Sequence, residues 1–116
     1  MNMPRISYVE LPVHQVAKVR DFYAQAFGFG FTDFGPDYAA TTSGDVHLGL
    51  NGSDEGRPTH PFALVEVDNL EAAEEAVFNA GGTVTVPIYA YPGGRRFHFS
   101  DPDGNELGVF VNEPEA

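Results

Sequence analysis

A β-α-β-β-β pattern occurs twice in this chain of 116 residues, and laying Leu11 on Val65 sets the copies 54 residues apart (65 − 11). The same offset places Val13 on Val67, Val16 on Leu70, Ala26 on Ala80 and Gly28 on Gly82. In the first copy, Ile6 to Val13 alternates as a strand, with Val9, Leu11 and Val13 on one face and Ile6, Tyr8, Glu10 and Pro12 on the other. Val16, Val19, Phe22, Tyr23, Ala26 and Phe27 then recur at helical spacing, and Gly28 can close that helix in a left-handed cap. Phe29 to Phe34, Tyr38 to Thr42 and Asp45 to Asn51 read as three strands, divided by turn signals at Gly35-Pro36-Asp37 and Ser43-Gly44.

The second copy repeats the order. Phe62 to Val67 is the strand, and Leu70, Ala73, Ala76, Val77 and Ala80 form the buried stripe of the helix. Asp68 and Glu71 have the spacing of a capping box, and Gly81-Gly82 ends the helix. Thr83 to Tyr89, Arg95 to Ser100 and Glu106 to Val111 complete the set. The expected organisation is one domain over 1–116, with modules at about 5–51 and 61–112 and a polar, aperiodic connector at 52–60. Each unit covers one sheet face with its helix and leaves the other face unpaired, so two units predict an α+β fold. Its sheet is a curved, mixed, eight-stranded incomplete barrel with the helices outside and a hollow suited to a small molecule.

Two further motifs carry a resemblance. Asp101-Pro102-Asp103-Gly104-Asn105 should reverse the chain, because Pro102 pre-sets one dihedral and Gly104 tolerates positive φ. The run F-x-D-P-D-G-N-E-L-G from Phe99 and the F-Y-x-x-x-F-G run from Phe22 to Gly28 resemble the vicinal-oxygen-chelate superfamily of glyoxalases, extradiol dioxygenases and bleomycin-binding proteins. So does the second-module V-E-V-D-N-L, and the resemblance covers Ile6 to Val111. It implies the doubled fold and, as in similar small members, a homodimer; module pairing within one chain or swapped between two is left open.

Composition narrows the chemistry. With no cysteine, disulfides, thiolate catalysis and Cys-ligated metals are excluded. A net charge of −11 opposes binding to nucleic acid and to anionic membrane, and its plainest meaning is a solvated acidic surface. No apolar run of about 18 residues suggests a membrane span and no signal peptide is evident, so a cytoplasmic protein is expected.

Metal-dependent members of the superfamily place four ligands, usually His and Glu, on the first and last strands of each module. By resemblance those positions fall here on Tyr8, Leu48, Phe62 and Gly108, none a usual ligand, and a slip of one residue would bring in only His47. No metal or other cofactor is therefore expected. The four histidines lack paired spacing: His14 sits where the chain enters the first helix, His60 in the connector, and His47 and His98 on strands. If Phe97 and Phe99 pack under a helix, Arg96 and His98 turn to the concave side; the opposite register puts them in solvent. Tyr89 to Gly94 reads as a glycine-hinged loop whose Tyr91 could close over a ligand, or as ordinary loop packing. Ser7, Ser43, Ser53 and Ser100 lack a nucleophile elbow.

Two functions are consistent with these residues. One is a metal-independent binder, similar to the bleomycin-binding branch, holding an aromatic or cationic compound among Tyr8, Leu48, Phe62, Leu64, Tyr91, Arg96 and His98. The other is a glyoxalase-like lyase or isomerase working by a general base. Glu10, two residues from Tyr8 on the same face, is the candidate base, since a buried carboxylate would accept a proton or anchor a cation. Its bland alternative is a salt bridge, to Arg96 if that side chain also points inward.

Overall fold

The computed structural model describes residues 4–42 and 44–113. Its fold is α+β, two βαβββ modules with eight strands and two helices in the expected order. The described residues of 7–62 make one compact unit, and those of 63–113 with 4–6 make the other.

The first module comprises β1 (Arg5–Pro12), α1 (Val16–Phe27), β2 (Phe31–Asp33), β3 (Tyr38–Thr41) and β4 (His47–Asn51). Its strands lie in the order β2-β3-β4-β1. β4 runs parallel to β1, which requires the long crossover through α1, while β2, β3 and β4 are joined by antiparallel turns. One such turn is closed by Phe34 N donating to Tyr38 O across Gly35, whose φ of 92° suits glycine alone. Ser43, in the expected second turn, lies outside the described residues.

α1 packs through Val16, Val19 and Tyr23, spaced i, i+3 and i+7, onto Leu11, Phe31, Ala39, Leu48 and Leu50. Burying side chains of the size of Leu50 contributes about 1.5–3 kcal/mol each. Phe22 and Phe27, expected in this stripe, are exposed instead. Phe22 lies one residue off the stripe and meets Tyr23 edge-on, and Phe27 stacks on the Tyr23 ring and meets the Phe29 ring at a tilt. The N-cap of α1 is Gln15, which makes no side-chain cap bond, so His14 stands outside the helix and is exposed. Asn51 orders the connector by donating from Nδ2 to Gly56 O and accepting from Ser53 N.

The second module comprises β5 (Phe62–Glu66), α2 (Leu70–Asn79), β6 (Thr83–Tyr91), β7 (Gly94–Ser100) and β8 (Glu106–Asn112), with strand order β5-β8-β7-β6. Again the first and last strands are parallel and the others antiparallel. Leu70, Ala73 and Val77 of α2 cover Val65, Val67, Val84, Ile88, Phe97, Phe99, Val109 and Val111. Ala76 and Ala80 fall outside this stripe and are exposed.

The helix starts 54 residues after α1, as the repeat requires, but its N-cap differs from expectation. Asn69, not Asp68, is the N-cap and accepts from Ala72 N at 3.0 Å, so Glu71 is not in a capping box with Asp68. Glu71 instead binds Arg95 on β7. At the other end Gly81 takes the positive φ of 99°, and Gly82 N donates to Val77 O, the paired pattern of a Schellman cap. The Asp101–Asn105 reversal forms as expected: Asp101 N donates to Asn105 O, Gly104 has φ 89°, and the Asp101 carboxylate accepts from Asp103 N and Asn105 N.

Candidate functional site

Strand alternation turns Tyr8 and Glu10 of β1, Tyr38 of β3, and His47 and Gly49 of β4 to the sheet face opposite α1. The register brings them side by side, Tyr8 beside His47 and Glu10 beside Gly49, with β3 on the far side of β4. Tyr38 Oη donates to Glu10 Oε1 at 2.9 Å, and the Tyr8 and Tyr38 hydroxyls meet at 2.7 Å. Glu10 is only 1% exposed, while both tyrosines are half-buried. Gly49 makes the arrangement possible, because a Cβ there would collide with the Tyr38 hydroxyl and come within 2.6 Å of the Tyr8 hydroxyl. Burial first, and then the neighbouring Glu10 carboxylate, push the Tyr38 hydroxyl well above its ordinary pKa of 10.0. The Tyr8 and His47 rings lie 6.3 Å apart. His47 Nδ1 is 2.9 Å from Thr41 O; a carbonyl only accepts, so Nδ1 is the donor.

The second module gathers Tyr89, Arg96 and His98. Phe97 and Phe99 do pack under α2, and Arg96 and His98 alternate to the opposite face. Arg96 Nε donates to the Tyr89 hydroxyl and lies 3.1 Å from His98 Nε2, with its guanidinium 5.6 Å from the Tyr89 ring centre. Since arginine only donates, His98 Nε2 is an acceptor and its Nδ1, 4.0 Å from Glu106 Oε2, carries the proton. Thr85 Oγ1 donates to that same Glu106 oxygen at 2.7 Å.

Leu48 and Tyr91 are placed differently from expectation. Leu48 belongs to the apolar cluster under α1, so His47 takes its expected place beside Tyr8. The cause is register: Leu48 pairs with Val9, and both face the helix side. Phe62 and Leu64 are buried on β5, where Leu64 stands opposite Gly108. Tyr91 is not on a hinged loop. β6 runs on to Tyr91 and turns through Pro92 and Gly93 directly into Gly94, a tight hairpin with Gly93 at φ 98°. Gly94 is pinned there, because a Cβ would strike Val111 O and reach 3.1 Å from Tyr91 Oη.

A family model described as the glyoxalase/bleomycin resistance protein/dioxygenase superfamily matches residues 5–109. The chain belongs to this superfamily. Among proteins similar to this glyoxalase-superfamily chain, "Putative glyoxylase CFP32" of Mycobacterium tuberculosis is 27% identical over 90% of the chain, which spans 44% of that relative's length. The fold also matches two crystal structures. One is a superfamily member from Vibrio splendidus 12B01, at 16% identity, TM-score 0.71 and coverage of 96% and 100% of the two chains. The other is methylmalonyl-CoA epimerase from Mycobacterium tuberculosis, at 11% identity, TM-score 0.77 and coverage of 94% and 88%.

The residues at those positions do not fit the metal centre of metal-dependent superfamily members: with His47 in the place of Leu48 beside Tyr8, the set that also holds Phe62 and Gly108 offers one imidazole, and among the described residues no three His, Asp or Glu side chains gather as such a centre needs. Also among the described residues, no helix is long and apolar enough to cross a membrane.

Proposed function

We propose that this superfamily member binds a small aromatic or cationic molecule without a metal ion, on the first-module sheet face opposite α1. The supporting observation is the Tyr8–Tyr38–Glu10 hydrogen-bond chain laid over Gly49. It combines a fixed carboxylate with half-buried aromatic rings, the pairing of a few polar groups with apolar surface that small-molecule sites use. Arg96, His98 and Tyr89 supply a second polar group of the opposite charge on their own module.

The test is a thermal-shift screen of metabolites and antibiotics, run with and without added divalent metal. A stabilising compound that acts equally in both conditions, and loses its effect on Tyr8→Phe, supports the reading. Stabilisation only with metal, together with one equivalent of zinc, nickel or iron after exhaustive dialysis, overturns it.

The second reading, a lyase or isomerase, is favoured by the same chain of groups. Tyr8 would take a substrate proton as its own passes to Tyr38 and the Tyr38 proton passes to the Glu10 carboxylate, leaving substrate anion and neutral Glu10. Glu10→Gln removes the final acceptor while preserving shape. Turnover of the compound found in the screen, abolished by that substitution with binding retained, would distinguish catalyst from binder.

A further inference from the structure

The C-terminal half of α1 carries more apolar surface than its own module covers. Phe22, Phe27 and Phe29 are 60%, 66% and 43% exposed. They gather around the half-buried Tyr23 ring, which Phe22 meets edge-on at 5.1 Å and against which Phe27 and Phe29 stack at 6.3 and 6.5 Å. The fold does not require these rings. The 54-residue offset sets Ala76, Gly81 and Thr83, all exposed, at the same three places in the second module, while Val77 takes the packing place of Tyr23. At about 150–250 Å² per aromatic side chain, the three rings leave roughly 250–400 Å² of apolar surface in water, a size at which a patch on a soluble chain is often functional.

Charge decides what fits there. Between positions 16 and 34 the charged residues are Lys18, Arg20, Asp21 and Asp33, which cancel, so the net charge of −11 lies entirely outside this stretch. Arg20 moreover binds both acids, Nε at 3.0 Å from Asp21 and Nη1 at 2.8 Å from Asp33. A basic partner gains nothing at a neutral face and is drawn to the acidic remainder, whereas an acidic partner meets less repulsion here than elsewhere. A second copy of this chain is such a partner, and it brings the same rings, so a two-fold contact sets aromatic against aromatic. We infer that two copies of this chain dock through Phe22, Phe27 and Phe29 of each. The paired patches supply the apolar core of an interface whose standard size is about 1,600 Å² in total. The contact uses the α1 side of the first-module sheet and leaves the opposite face, with Tyr8 and Glu10, to the proposed ligand; either proposal can fail without the other.

The test is sedimentation velocity on the full chain across the micromolar range, in about 0.1 M and about 1 M sodium chloride. Wild type should sediment as a dimer, more completely at high salt, because screening weakens the repulsion between two chains of charge −11 and the contact is apolar. Phe22→Ser combined with Phe27→Ser should raise the dissociation constant at least about a hundredfold, the scale of removing aromatic anchors from both partners. Phe78→Ser, at a comparably exposed phenylalanine of α2, should leave it unchanged. Ala26→Glu, exposed one turn after Phe22, adds the like charge that this face lacks and should weaken the dimer at low salt more than at high salt. Circular dichroism verifies that each variant is folded; should the Phe22 and Phe27 pair not fold, Ala26→Glu decides. A monomer throughout the range, a dimer that withstands Phe22→Ser with Phe27→Ser or withstands Ala26→Glu, or one that Phe78→Ser or added salt dissociates, overturns the inference.

Discussion

The hydroxyl oxygens of Tyr8 and Tyr38 lie 2.7 Å apart in the space that a side chain at position 49 would fill. Gly49→Ala must therefore push the two rings apart or shift β4 against β1. The expected cost is about 1–3 kcal/mol, typical of overpacking a buried site, read as a lower urea midpoint with an unchanged slope. Binding of any compound from the screen should weaken with it. An alanine variant of wild-type stability would show that the hydroxyl pair is not held against Gly49.

Tyr38 gives an alkaline signature. Its pKa in the folded chain is raised above the 10.0 of a free tyrosine, first by burial and then by Glu10, so it favours folding fully below pH 10.0. That contribution is lost as pH rises toward the folded value. Absorbance titration of the five tyrosines should show one that ionises only with unfolding, and Tyr38→Phe should remove that component. A titration in which all tyrosines ionise below the unfolding transition would contradict the buried pairing.

Arg95 gives an acid signature. It binds Glu71 of α2 and Glu113 beyond β8, and these bonds hold both carboxylates below their ordinary pKa of 4.5. Stability from a depressed carboxylate is present above pH 4.5 and lost as pH falls through the folded value. The pairs are solvent-accessible, so the effect should shrink as salt is added. Arg95→Met should flatten the dependence of the melting temperature on pH below 4.5, and an unaltered acid limb would refute the clamp.

Helix capping separates two neighbouring residues. Asn69→Ala removes the bond to Ala72 N and should cost about 1 kcal/mol, whereas Asp68→Ala leaves that bond in place. Thermal unfolding of the two variants gives the comparison, with Asn69→Ala expected to melt lower.

The doubled module was legible because apolar spacing, glycine placement and the 54-residue offset all agree, and both helices begin at the expected residues, Val16 and Leu70. Position 69 was not, since Asp68 and Asn69 are both competent caps and only backbone conformation chooses between them. Leu48 fell on the wrong face for a related reason: alternation groups Leu48 with Leu50 but does not fix which residue of β1 stands opposite. Tyr38 was read only as the start of a strand, because its partner Glu10 is 28 residues away and no local pattern links them. A signal existed in Gly49, a glycine inside a strand, which often marks close approach by another group.

On β1 and β4 the residues that anchor α1 and those that face the candidate ligand alternate without sharing a position: Leu11, Leu48 and Leu50 on one side, Tyr8, Glu10, His47 and Gly49 on the other. Selection on recognition and selection on folding thus act on separate letters of the same short strands. On the proposed binding at this face, exchanging Tyr8 or His47 would retune what is recognised while the contacts that seat α1 stay as they are. A scaffold so partitioned can pass from one ligand to another through single substitutions, which is how one fold comes to serve many unrelated chemistries.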